Sequence, residues 1–153
     1  MGKPEFIYVI YIQTTPQNVW DAIQTPSLAK EFWGHRVNRS DWKVGSRWQH
    51  EVYNDPSDVA VIGTVVESDP PHRLVLTWAE PGEASDASKT SKVTFAIEDF
   101  MGGVRLTVTH TDLTEQAYRA ISGGWPAVLS SLKTLLETGA AMPMTQRLWK
   151  RAG

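Results

Sequence analysis

Apolar and polar residues alternate in short runs from Glu5 to Thr111, and the period lengthens to that of a helix after Ser122. The alternation predicts strands at 5–13, 37–42, 46–53, 59–67, 73–80, 92–98 and 104–111. Turn signals separate them: Lys43-Val44-Gly45, Asn54-Asp55-Pro56-Ser57, Asp69-Pro70-Pro71-His72 and Met101-Gly102-Gly103. Hairpin spacing of this kind argues for an antiparallel meander. The first run differs from the rest. Phe6, Tyr8, Ile10 and Ile12 lie on one face and Ile7, Val9 and Tyr11 on the other, a pattern expected of a strand covered on both faces or central in its sheet.

Helical spacing enters at three places. Thr15 and Pro16 read as cap and first residue of a helix to position 25, with Val19, Trp20 and Ile23 inward and Pro26 as its stop. Ser27 then caps a second short helix at 28–33, ended by Gly34. The strongest signal is 122–139, where Trp125, Val128, Leu129, Leu132, Leu135 and Leu136 fall on one face. Gly123 and Gly124 separate this helix from a polar helical turn at 114–121, and Gly139 supplies a left-handed cap. At 1.5 Å per residue the long helix reaches ~25 Å, the width of a small domain. Its apolar stripe has to be buried, and the only available partner is sheet. The expectation is a single α+β domain over 1–153: a curved antiparallel sheet of about seven strands wrapped around the long helix. The two short helices plug one end, and 140–153 forms a loosely held tail.

The segments TTPQNVWDAI, DWKVGSRW, GTVVESDPPHRLVLTW, VRLTVTHTDL and GGWPAVLSSLKTLLETG together resemble the helix-grip superfamily. That superfamily holds START domains, the birch-pollen allergen and the polyketide cyclases. More narrowly the chain resembles its bacterial branch named after the activator of Hsp90 ATPase, over roughly 5–140. The resemblance implies a cavity between helix and concave sheet that takes lipids and other apolar or aromatic molecules, and pairing of two copies. The co-chaperone behind the name engages its partner through an additional N-terminal domain, so chaperone activation is not expected of this chain.

Composition narrows the function classes. Fifteen Lys and Arg stand against 17 Asp and Glu, so no basic field attracts nucleic acid. Without cysteine there is no disulfide framework and no thiolate nucleophile. No apolar run reaches the ~20 residues of a membrane span, and the N-terminal run alternates as a strand does, so a cytoplasmic protein is expected. No nucleotide loop or nucleophile elbow is present, no cofactor is implied, and His35 and His72 sit near turns away from any metal-ligand cluster.

Seven tryptophans then become the distinctive feature. The alternation turns Trp48, His50, Leu76, Trp78, Phe95, Val108 and His110 inward under Trp125, Val128, Leu129 and Leu132, with Trp33 and Phe32 as one lip of an entrance. These residues describe either a close-packed core or the walls of a ligand cavity, and the resemblance favours the cavity. His50 and His110 occupy otherwise apolar faces, so burial should keep them neutral. Their simpler role is a hydrogen bond to backbone; the chemical one is ligand contact or acid–base work, with Glu80 as a further candidate at a strand end. Glu51 is expected in solvent, Glu67 in either direction, and Arg73 and Arg105 paired with carboxylates on the sheet surface. Three roles follow: a binder of a small hydrophobic molecule, an enzyme of the cyclase or hydrolase kind, and a stress-related or co-chaperone-like interaction module.

Overall fold

A computed structural model describes residues 2–149. The order is β1 (Phe6–Ile12), α1 (Pro16–Gln24), α2 (Pro26–Phe32), β2 (Arg36–Arg39), β3 (Arg47–Val52), β4 (Asp55–Asp69) and β5 (Arg73–Trp78). After two single-turn helices come β6 (Ser91–Phe100), β7 (Gly103–Thr111), α3 (Glu115–Thr138) and a short α4 (Pro143–Gln146). The strands form one antiparallel sheet in the order β1-β7-β6-β5-β4-β3-β2, curled around α3 as the helix-grip pattern requires. The apolar stripe of α3 places Trp125, Val128, Leu129 and Leu132 against Leu76, Phe95, Leu106 and Val108 of the concave face. Val19, Trp20 and Ile23 of α1 close one end.

Local chemistry accounts for the helix boundaries. Thr15 Oγ1 accepts the Asn18 N–H at 3.2 Å, and Thr114 Oγ1 accepts the Ala117 N–H at 3.1 Å. Gly139 takes φ +89° and its N–H reaches the Leu135 carbonyl at 2.8 Å. Pro26 does more than stop α1. Its fixed φ suits a first helical turn, so α2 starts there with Thr25 as cap and not at Ser27.

Four expectations are corrected. Gly123 and Gly124 do not break the chain's last helix: α3 runs unbroken from Glu115, with Pro126 inside it. Each glycine costs about 1 kcal/mol in a helix, but residues on both sides are anchored, and two residues without Cβ let the turn relax around the proline ring. β1 lies at the sheet edge, leaving Ile7, Val9 and Tyr11 exposed at 56%, 46% and 48%. The turn at Asn54–Ser57 is tighter than expected, because β4 already begins at Asp55, whose carboxylate accepts the Ser57 N–H and hydroxyl. Finally, the segment after Gly139 is held as far as it is described. Thr145 is fully buried and hydrogen-bonds Ser131 and the Glu31 carbonyl, while its own carbonyl accepts the Gly34 N–H at 2.8 Å. The expected loose tail at 150–153 lies outside the described residues.

Gly63, expected at a bulge or a close approach, is the latter. A Cβ there would overlap the Thr77 carbonyl and stand 2.5 Å from Trp48 Nε1. The register shifts instead flank it, at His50–Val52 and at Val65–Glu67.

Candidate functional site

The centre of the grip is filled. Trp125 descends from α3 into a ring of aromatics, with centroids 5.6 Å from Trp33, 5.6 Å from Trp78, 5.8 Å from Phe95 and 6.2 Å from His110. Trp48 packs on Trp78 at 5.5 Å. Trp48, Leu76, Phe95, Val108, Leu129 and Leu132, expected as cavity walls, are buried in this packing and border none of the principal clefts. These rings, in contact with one another, occupy the space beneath the middle of the helix.

Open space lies to one side, by the N-terminal half of α3. A recess of about 100 Å³ is walled by Trp33, Trp78, Trp125, Val128 and Trp149. It adjoins a cleft of about 440 Å³, with which it shares Trp78, Ala120 and Ile121. Glu80, Glu83, Lys89 and Asp112 stand around the cleft, and Lys89 is paired with Glu83 at 3.6 Å. A broader recess of about 870 Å³, reaching Arg47 and Gln49, shares Glu80 with the cleft. Of the expected ligand contacts, Trp33, Trp78, Trp125 and Val128 therefore line open space. Trp33 lines the recess; Phe32 does not, being fully buried behind it at 5.6 Å.

The two histidines separate clearly. His110 is fully buried and both ring nitrogens are occupied. The Trp125 indole N–H donates to Nδ1 at 3.1 Å, so the ring proton sits on Nε2 and is donated to Ser91 Oγ at 2.8 Å. Ser91 passes its own proton to the Trp78 carbonyl at 3.1 Å. Burial pushes the His110 pKa down to about 4, and no lone pair is left for a ligand. The His50 Nδ1 lies 2.8 Å from Asn38 Oδ1, the one hydrogen bond of this ring among the described residues. Burial, and then the Arg36 charge, push its pKa down to about 3. Its ring lies 5.0 Å from Trp33 and 6.3 Å from Trp78.

The charged residues are rearranged relative to the simple alternation. Glu51, expected in solvent, is 1% exposed and ion-pairs with Arg39. The register shift on both sides of it is what turns this carboxylate against the sheet. Arg36 is likewise buried, 3.5 Å from the Asp58 carboxylate. Neither it nor Asn38 was marked by the sequence, since a polar residue on a four-residue strand carries no period to reveal burial. Glu80 leaves the sheet after Trp78, is exposed, and stands at the cleft mouth, not beside either histidine. Glu67 turns to the surface and accepts Arg73 at 3.1 Å, and Glu98 accepts Arg105 at 2.7 Å. His72 Nδ1 donates to the Ile97 carbonyl at 2.9 Å, and His35 packs edge-on against Tyr53. Among the described residues no three His, Cys, Asp or Glu side chains gather as a metal site, and no helix is long and apolar enough to cross a membrane.

The fold agrees with what the chain is similar to. The family model described as activator of Hsp90 ATPase homolog 1-like protein matches residues 13–137. The chain belongs to that family. Among solved structures, a Mesorhizobium loti protein is 23% identical, covering 87% of this chain and 96% of its own, with a TM-score of 0.70. An HSP90 activator from Plasmodium falciparum is 17% identical over 86% of this chain and 95% of its own, with a TM-score of 0.69. The Aha1 dimer from Colwellia psychrerythraea is 20% identical over 89% and 98%, with a TM-score of 0.66. At these identities the likeness establishes the helix-grip fold. No curated protein matches the chain.

Proposed function

We propose that this activator-like protein binds a small apolar or aromatic molecule where the tryptophan recess meets the cleft beside α3. The supporting observation is that Trp33, Trp78 and Trp125 line open space beside the N-terminal half of α3. Burying apolar area there contributes ~25 cal/mol per Å², so a single ring of roughly 100 Å² gains about 2.5 kcal/mol before ordering costs. The decisive test is native mass spectrometry of the purified protein, with solvent extraction of anything that co-purifies. A reproducible low-mass adduct is expected. Unadducted protein in the presence of saturating apolar aromatics, with tryptophan emission unchanged, would overturn the reading.

A chaperone-linked role is the second reading, favoured by the family and by the Plasmodium activator, whose chain this one covers almost entirely. Length alone therefore does not separate the two. Stimulation of an Hsp90 ATPase by the purified chain tests it directly. Pairing of two copies goes with either reading. It is supported by the dimeric Colwellia relative and by the exposed apolar face of β1.

A further inference from the structure

Three strand ends meet at the cleft beside α3. Trp78, the last residue of β5, pairs with Ser91, the first of β6, and Lys92 pairs with Thr111 at the end of β7. That register brings Ser91, Asp112 and, two positions after Trp78, Glu80 to the same end of the sheet. Trp78, Glu80, Ser91 and Asp112 all border the cleft of about 440 Å³, and Trp78 is also a wall of the smaller recess. An indole, a hydroxyl and two carboxylates thus surround one space.

These polar groups offer acceptors. Ser91 is 6% exposed, its O–H goes to the Trp78 carbonyl, and one of its lone pairs takes the His110 Nε2 proton. A hydroxyl has two lone pairs, and the second has no donor among the described residues. Glu80 and Asp112 enter no ion pair or side-chain hydrogen bond among the described residues. The cation on the cleft wall, Lys89, already faces Glu83 at 3.6 Å, and Arg47 borders the broader recess, not the cleft. The first turn of α3 also reaches the cleft, but Thr114 Oγ1 accepts its Ala117 N–H and Glu115 stands in the same turn. Carboxylates without a counter-charge beside an indole-walled recess favour a positive ligand, since carboxylate and indole face both attract an ammonium group.

Resting on the binding role proposed above, we propose that the ligand is an arylalkylammonium, an aromatic ring carrying a protonated amine on a short chain. Its ring lies in the recess among Trp33, Trp78 and Trp125, which at about 100 Å³ is of a size for one ring. Its ammonium group lies in the cleft, donates to Ser91 Oγ and faces Glu80 and Asp112. A ring bearing a carboxylate is repelled at the same place, so the recess selects by shape and the cleft by charge.

The test is titration of the intact protein with phenethylamine, the near-isosteric 2-phenylethanol and phenylacetate, read by tryptophan emission and calorimetry. Phenethylamine is expected to bind about tenfold more tightly than the alcohol at low ionic strength, and phenylacetate most weakly. In 1 M salt the preference for the amine should fall to about twofold. The double variant Glu80→Gln/Asp112→Asn should lower it to about twofold without added salt. Both positions are exposed, and asparagine tolerates the left-handed backbone of Asp112 at φ +60°. The two single variants, each expected to lose part of the preference, decide the point if the double variant does not fold. Equal binding of amine and alcohol, tighter binding of phenylacetate, or a preference that survives the variants would overturn this inference while leaving the recess as a binding site. Failure of all three probes to bind up to their solubility limits would overturn both.

Discussion

The indole N–H of Trp125 donates to Nδ1 of His110 at 3.1 Å, joining the middle of α3 to the last strand of the sheet. One bond thereby sets the tautomer of a buried histidine and, through it, the chain from Ser91 to the Trp78 carbonyl. Trp125→Phe keeps a ring but removes the donor, leaving Nδ1 unsatisfied. Equilibrium unfolding in urea should show a loss of about 1–3 kcal/mol. An unchanged midpoint would mean that this contact contributes nothing to holding helix and sheet together.

Both buried histidines have folded pKa values below the unfolded value of about 6.5, about 3 for His50 and about 4 for His110. The folded state then binds fewer protons than the unfolded chain over that interval. Stability is complete above pH 6.5 and declines as pH falls towards 4 for His110 and 3 for His50, by up to about 1.4 kcal/mol per pH unit for each group. Unfolding midpoints measured at successive pH values should trace that decline, and His50→Leu should flatten part of it. A flat profile between pH 6.5 and 4 would show that the imidazoles are not buried as described.

Leu132 is fully buried where α3 faces the sheet. Leu132→Asp places a carboxylate there with no partner, a change expected to cost more than about 4 kcal/mol and to unfold the domain. Circular dichroism of the variant is the check. A normally folded mutant would mean that the buried face of α3 is assigned wrongly.

The outer face of β1 carries Ile7, Val9 and Tyr11, flanked by Phe100, whose ring is 5.1 Å from Tyr11, and by the exposed Met101. The strand's free edge is partly closed at its far end: Lys133 donates to the Tyr11 carbonyl and Glu137 accepts the Gln13 N–H. We propose that the apolar face, more than the edge, joins two copies. Sedimentation at micromolar concentration should show a dimer that Val9→Lys converts to monomer without loss of fold. A monomer in the wild type would remove this proposal.

The strands, the short helices and the buried stripe of α3 were legible because periods of two and 3.6 residues follow directly from which face is wet. The same local signals misled where distant packing overrode them. Gly123 and Gly124 look like a break only while the helix is considered alone, and the tail looks loose until Thr145 meets Ser131 and Glu31. Alternation marked both His50 and His110 as inward but made them equivalent. What distinguishes them lies on other elements: Trp125 and Ser91 for one, Asn38 alone for the other.

From the sequence came the order of strands and helices and the inward side of the aromatics and of both histidines, since each follows from a local period, while the helix-grip fold was implied by the family resemblance. Only the tertiary structure decided that β1 is an edge, that Glu51 and Arg36 are buried, and that the clefts lined by Trp78, Ala120 and Ile121 lie beside α3. Those outcomes depend on how side chains far apart in the chain share volume. Trp33, Trp78, Phe95 and His110 converge around Trp125 and fill the centre, and no period in the sequence records that they meet.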